Sequence, residues 1–150
     1  MRRMAEPDAL VGAHPDSLPV EHLFTLSARV SRAGTISDGP SGTRVIVECT
    51  GGRFEGQRLE GDVLAPSGDW VRLAADGSMR LDVRMILRTD DGADILMTYG
   101  GVSADGGATI RAAPSFETGD ERYAWLNAVQ AVATGESGGG HVTYEVYRLL

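Results

Sequence analysis

The groups with the clearest chemical potential in this chain are carboxylates, guanidiniums and one phenol gathered between Gly68 and Gly101. That stretch, GDWVRLAADGSMRLDVRMILRTDDGADILMTYGG, reads as three antiparallel strands joined by two tight turns. Asp76-Gly77 and Asp91-Gly92 are type I′ turn signals, because both central positions of that turn need φ > 0. With two-residue loops, counting outward places Asp69 opposite Arg84 and Arg84 opposite Tyr99, a row across three strands. Asp82 lies one step along the same face. Opposed Cβ atoms in such a row are roughly 5 Å apart. A partly desolvated Asp69 or Asp82 could then move a proton, while Arg84 and Tyr99 hold an oxygen that gains charge.

The other face of these strands carries Leu81, Val83, Met85 and Leu87, with Trp70, Leu96 and Val102, and is almost wholly apolar. Two readings of the polar row stay open. Its members are either a solvated cross-strand ion pair contributing roughly 0.2–1 kcal/mol, or the lining of a barrel or cleft.

The elements that must position this row are strands. After an arm at residues 1–19, broken by Pro7, Pro15 and Pro19 and holding His14, alternating runs occur at Glu21–Val30 and Thr43–Thr50. Gly51-Gly52 interrupts the second run and suggests a bulge or a close approach. A short strand is expected at Arg58–Leu64, another at Thr109–Phe116, and an apolar one at Ala128–Ala133. A loose loop over Gly135–Gly140 precedes the last strand, His141–Leu149. Thr118-Gly119-Asp120 reads as a turn into a one-turn helix capped by Asp120. Eight to ten strands at this spacing predict an all-β, single antiparallel β-barrel over residues 20–150, with at most one or two short helical turns. Eight strands can close around one small ligand.

Composition narrows the function. The 150 residues carry a net charge of −7, and all 14 basic residues are Arg. An acidic chain without a basic run is a poor partner for nucleic acid or an anionic membrane. No apolar run approaches the roughly 18 residues of a membrane-spanning helix. The N-terminus does not read as a signal peptide, and the lone Cys49 excludes an internal disulfide, so a reducing cytoplasm is expected. Cys49 itself reads as a small buried filler. HExxH, CxxC, GxSxG and dinucleotide-binding motifs are absent, and the three His are far apart, so neither a metal nor a cofactor is expected. The remaining candidates are Asp69, Asp82 and Arg84 as catalytic groups and Tyr99, Tyr123, Trp125 and Asn127 as substrate-binding groups, with Tyr123 and Trp125 capping a barrel end.

Several segments carry a family resemblance: GGRFEG (Gly51–Gly56), LEGDVL (Leu59–Leu64), GDW (Gly68–Trp70), ADG…LDVR (Ala75–Arg84), TDDGA (Thr89–Ala93), PSFETGDERYAWLN (Pro114–Asn127) and YEVYR (Tyr144–Arg148). In this order they resemble the DUF3237 (UPF0311) family over about residues 21–150. The resemblance implies a calycin-like β-barrel of the kind that holds small ligands, often in oligomers, and no established activity. Arg111-Ala112-Ala113-Pro114 stands where the family usually shows Arg-Thr-x-Pro, and the Ser103–Ala108 loop is shorter than in many relatives. Both differences would reshape one barrel mouth.

Three functions follow as expectations. The first is a cofactor-independent acid–base enzyme, an isomerase, cyclase or lyase, acting on a small carbonyl or polyketide-like compound. The second is a ligand carrier or sensor without chemistry. The third is an interaction module whose apolar face joins copies into a homo-oligomer, which an interior cavity below roughly 300 Å³ would favour.

Overall fold

The computed structural model describes residues 16–150. The expected arm, with His14, lies outside the described residues except for its last four positions. Alternation of apolar and polar residues then builds nine strands in sequence: β1 (Val20–Gly39), β2 (Gly42–Glu55), β3 (Glu60–Leu73), β4 (Met79–Thr89), β5 (Asp94–Ser103), β6 (Ile110–Ala112), β7 (Ser115–Glu117), β8 (Ala131–Gly138) and β9 (His141–Leu149). A 3-10 helix, Glu121–Ala128, lies between β7 and β8. All pairings are antiparallel, and β4 pairs with both β3 and β5, so the sheet closes on itself. Short β6 and β7 share one position beside β5, interrupted by Pro114, and the barrel therefore has eight strand positions.

The first three strands are longer than their apolar runs suggest. β1 and β2 run through register shifts at Arg29/Val30 and at Cys49/Gly52, where the expected glycine break proves to be a bulge inside one strand. A second bulge, between Leu64 and Gly68, joins the expected short strand to the GDW segment as a single β3. Bulges of this kind bend long strands and let a sheet curl into a barrel.

Both hairpins of the central meander differ from the expected register, for one reason. Gly77 and Gly92 take positive φ (85° and 93°), whereas Asp76 and Asp91 do not. A type I′ turn needs both. Instead Gly77 N–H donates to Ala74 O and Ala74 N–H to Ser78 O, and the second turn repeats this with Gly92 to Thr89 and Thr89 to Ala93. Each loop is therefore three residues, a type I turn closed by a left-handed glycine. Leu73 faces Met79 and Arg88 faces Asp94, one residue away from the two-residue count. A one-residue slip moves every side chain to the other face. The type I′ geometry appears elsewhere, at Gly139-Gly140 (φ 60° and 79°), where a loose loop was expected.

Inside, Leu81, Val83, Met85 and Leu87 of β4 join Ile95 and Met97 of β5 in the core. The end near the β4–β5 turn is filled. Phe24 packs on Phe54 and Phe116, with ring centroids 5.4 and 6.1 Å apart, and the helix adds the buried Tyr123 and Leu126. Burying a side chain such as Phe24 contributes about 2–3 kcal/mol. Trp70 and Val102, expected to share the apolar face, point outward and are 40% and 41% exposed. Leu96 also has outward phase and is only half-buried.

The filled end tolerates no extra atom where β3 crosses β4. A Cβ on Gly61 would collide with the Arg88 carbonyl oxygen. Gly61→Ala is expected to lower unfolding stability by on the order of 2 kcal/mol, measured by urea titration. Gly77→Ala, which meets open space but keeps the positive φ, should cost less, about 1 kcal/mol.

Candidate functional site

The half of the barrel away from the helix is hollow. A cavity of about 140 Å³ lies there, with an apolar wall formed by β4 residues Leu81, Val83 and Met85 together with Val47, Val71 and Val142. Its polar groups are the carboxyl of Asp69, the phenols of Tyr99 and Tyr144, and the Ser137 hydroxyl, which donates to Gly107 O at 2.8 Å. Gly107, from the loop expected to shape a mouth, lines it as well.

Register explains why the carboxyl and the phenols meet. Asp69 lies opposite Val83, and Val83 opposite Tyr99. The two turns each shift the count by one residue, and the shifts compensate between β3 and β5. Asp69 and Tyr99 therefore share one face as expected, and that face is the interior one, while β4 alone is flipped. The expected partners Asp82 and Arg84 sit on the outer face and are exposed. The row across the three strands is Asp69–Val83–Tyr99, not Asp69–Arg84–Tyr99, and among the described residues no guanidinium lines the cavity. The Arg84 guanidinium stands 6.0 Å from the centroid of the Trp70 ring, outside the barrel.

Asp82 still contributes, through its backbone. The paired positions of β3 and β4 skip Trp70 and Val71, and there the Asp82 N–H donates to Asp69 Oδ1 at 2.9 Å. Burial pushes the half-buried Asp69 carboxyl up to about 6; the Asp82 N–H opposes this and the nearby Asp82 charge adds to it. Removing a carboxylate from water disfavours its charged form, and one hydrogen bond does not offset that here. The remaining oxygen, Oδ2, makes no hydrogen bond to protein among the described residues.

The phenols are held the other way from a base. Burial keeps Tyr99 well above the ordinary phenol range and Tyr144 pushed up to about 12. Their rings meet edge to face with centroids 5.3 Å apart. Both remain neutral donors at any physiological pH. Cys49 is also on the wall, and burial raises its thiol, so it is not a thiolate.

Tyr123, Trp125 and Asn127 lie at the opposite, filled end. Tyr123 donates to both carboxylate oxygens of Asp91 at 2.9 and 2.8 Å. The Trp125 ring carries the Arg58 guanidinium 3.6 Å from its centroid. Asn127 accepts from Thr118 N–H at 2.8 Å and donates to Thr118 O at 2.9 Å. Asp120 caps the helix by accepting from Arg122 N–H at 2.9 Å. These residues close one barrel end, and none lines the Asp69 cavity.

Tyr144 was not among the sequence candidates. A signal existed in the alternating HVTYEVYRL, where Tyr144 shares its phase with Val142 and Val146. An aromatic with a polar tip in the inward phase of a strand asks for a polar partner inside.

Known proteins bear on this arrangement. The family described as "Protein of unknown function (DUF3237)" matches residues 18–108 and 103–149. A hydroalkoxylation enzyme from Penicillium herquei is 30% identical over 124 residues, covering 83% of this chain and 78% of its own length. A β-barrel-like protein from Acinetobacter baumannii, solved as a crystal structure, superposes with a TM-score of 0.79 at 30% identity, covering 91% of this chain and 99% of that one. The crystal structure of an enzyme from Penicillium herquei gives a TM-score of 0.65 at 25% identity, covering 91% and 98%. By sequence and by fold, the chain belongs to the DUF3237 family.

Proposed function

We propose that this barrel is a cofactor-independent acid–base enzyme that adds a hydroxyl group across a carbon–carbon double bond in a small, largely apolar molecule, closing an ether ring. The observation that carries the reading is Asp69: a carboxyl raised to about 6, facing an apolar cavity that it shares with two neutral phenols. The similarity to a hydroalkoxylation enzyme supports the reaction class.

Such an addition conserves protons, so a single carboxyl can serve it. Asp69 Oδ2 in its acid form gives a proton to one alkene carbon. The substrate hydroxyl oxygen bonds to the other carbon and returns its proton to the Asp69 carboxylate. The π bond and the O–H bond break, and a C–H and a C–O bond form. Tyr99 and Tyr144 donate hydrogen bonds that hold the substrate oxygen. A catalytic acid is most effective with a pKa near the working pH, which about 6 satisfies. Asp82 acts through its backbone N–H, and Arg84 has no part in the step.

The cavity size favours a second reading. At about 140 Å³ it is smaller than the roughly 300 Å³ of an ordinary ligand site and close to the size that holds a benzene ring. If the side chains do not yield, the barrel is an interaction module and the cavity carries no substrate.

The direct test is a phenol with a short alkenyl chain, incubated in D₂O and followed by NMR. Ring closure with deuterium on the former alkene carbon is expected. Asp69→Asn should lower the rate by about 10²–10⁴-fold, and Arg84→Ala should leave it unchanged. Equal turnover in Asp69→Asn would sink the mechanism, and an aromatic probe that leaves the cavity signals unmoved would favour the second reading.

The same carboxyl makes the stability of the fold depend on pH. The folded state holds the Asp69 proton more tightly than the unfolded chain, so this group stabilises the fold most below its ordinary value of 3.8. That contribution is lost as pH rises through about 6. Urea titrations should show wild-type stability, relative to Asp69→Asn, falling by on the order of 2 kcal/mol from acid to neutral pH. A difference that stays flat across that range would contradict the burial of this carboxyl.

A further inference from the structure

The outer wall carries a second chemical feature, independent of the cavity. Arg44 of β2 lies opposite Arg72 of β3, Arg72 opposite Arg80 of β4, Arg80 opposite Val102 of β5, and Val102 opposite Arg111 of β6. Four guanidiniums thus stand in one transverse row over five strands. Neighbouring strands are about 4.8 Å apart, so the row spans about 19 Å. Arg72, Arg80 and Arg111 are exposed, and Arg44 is half-buried.

Like charges directly opposed across a sheet destabilise it. This chain does not lack counter-ions: it has 21 acidic residues against 14 Arg. Arg53, Arg58, Arg88, Arg122 and Arg148 each hold a carboxylate. Among the described residues, none of the four in the row forms an ion pair. Two of them are positioned by carbonyls instead: Arg44 Nη1 donates to Trp70 O at 3.1 Å and Arg111 Nη1 to Ile110 O at 2.9 Å.

Arg72, Arg80 and Arg111 rim an open groove of about 500 Å³. Its floor is apolar and low, formed by Gly100, Gly101, Val102 and Ala112. Arg80 and Arg111 are two strand steps, about 10 Å, apart across that floor. Guanidiniums bind carboxylate and phosphate oxygens in a forked geometry.

We propose that this groove binds a small organic anion bearing two or more oxyanion groups. One group bridges Arg72 and Arg80, the other reaches Arg111, and the carbon body rests on Val102. The net charge of −7 repels a large polyanion at long range and leaves a small one able to bind locally. Leu81 borders both this groove and the Asp69 cavity, so the two sites lie on opposite sides of the same stretch of barrel wall.

Calorimetry and thermal unfolding with citrate and with pyrophosphate, against sodium chloride at matched ionic strength, test the proposal. Saturable binding and a raised Tm are expected with at least one of the two anions. Tighter citrate binding identifies carboxylates as the natural groups, and tighter pyrophosphate binding identifies phosphates. Arg72→Gln/Arg80→Gln should bind at least about tenfold more weakly, while the free variant unfolds at the same or a higher temperature because repulsion is relieved. Arg111→Gln alone should weaken binding without changing the free protein's Tm. The proposal is overturned if sodium chloride reproduces the shift, if the variants bind equally well, or if sedimentation shows the row instead mediating a salt-sensitive association of two copies with no anion bound.

Discussion

Gly77 and Gly92 each carry the positive φ of a three-residue hairpin loop, and that geometry decides which side chains of β3, β4 and β5 share the interior. Strand alternation leaves only two choices for each strand, and the loop length selects between them. With this parity, Leu81, Val83, Met85 and Leu87 enter the core, and the charged residues of β4 face water. The opposite parity would bury Asp82 and Arg84 together, at a desolvation cost of several kcal/mol per charge. The apolar side of β4 and the turn chemistry thus agree on a single answer.

The interior is divided between two tasks. At the β4–β5 turn end, aromatic packing and the 3-10 helix fill the barrel, and polar groups such as Tyr123, Asn127 and Asp120 are spent on closing it. At the other end, the wall is apolar but not filled, and one carboxyl stands in it. A buried acid of this kind works against stability near neutral pH, which the filled end must offset. Sites with perturbed acids in a concave, apolar setting are where function concentrates.

Much of this was legible in the amino-acid order. Alternation revealed the barrel, and the family segments located its members. Asp69 and Tyr99 could be placed on one face because two errors of one residue cancel across β4. The position of Arg84 could not, since an Asp-Gly pair supports both a type I′ turn and a type I turn with a glycine bulge, and the choice is made by tertiary twist. Strand lengths were underestimated wherever a bulge carried the chain on, as at Gly51-Gly52 and Ala65–Ser67. Phe116–Asn127 lies at the filled end, away from the Asp69 cavity, and a rare and specific sequence can be required for closing a barrel as much as for binding.

One seam remains in the wall. β6 and β7 occupy a single strand position in two pieces, meeting β5 over only two and three residue pairs on either side of Pro114. Ile110 of β6 lines the cavity directly behind this seam. This seam is therefore the part of the wall held by the fewest backbone pairings. Regions with few backbone pairings open locally at a fraction of the global unfolding free energy.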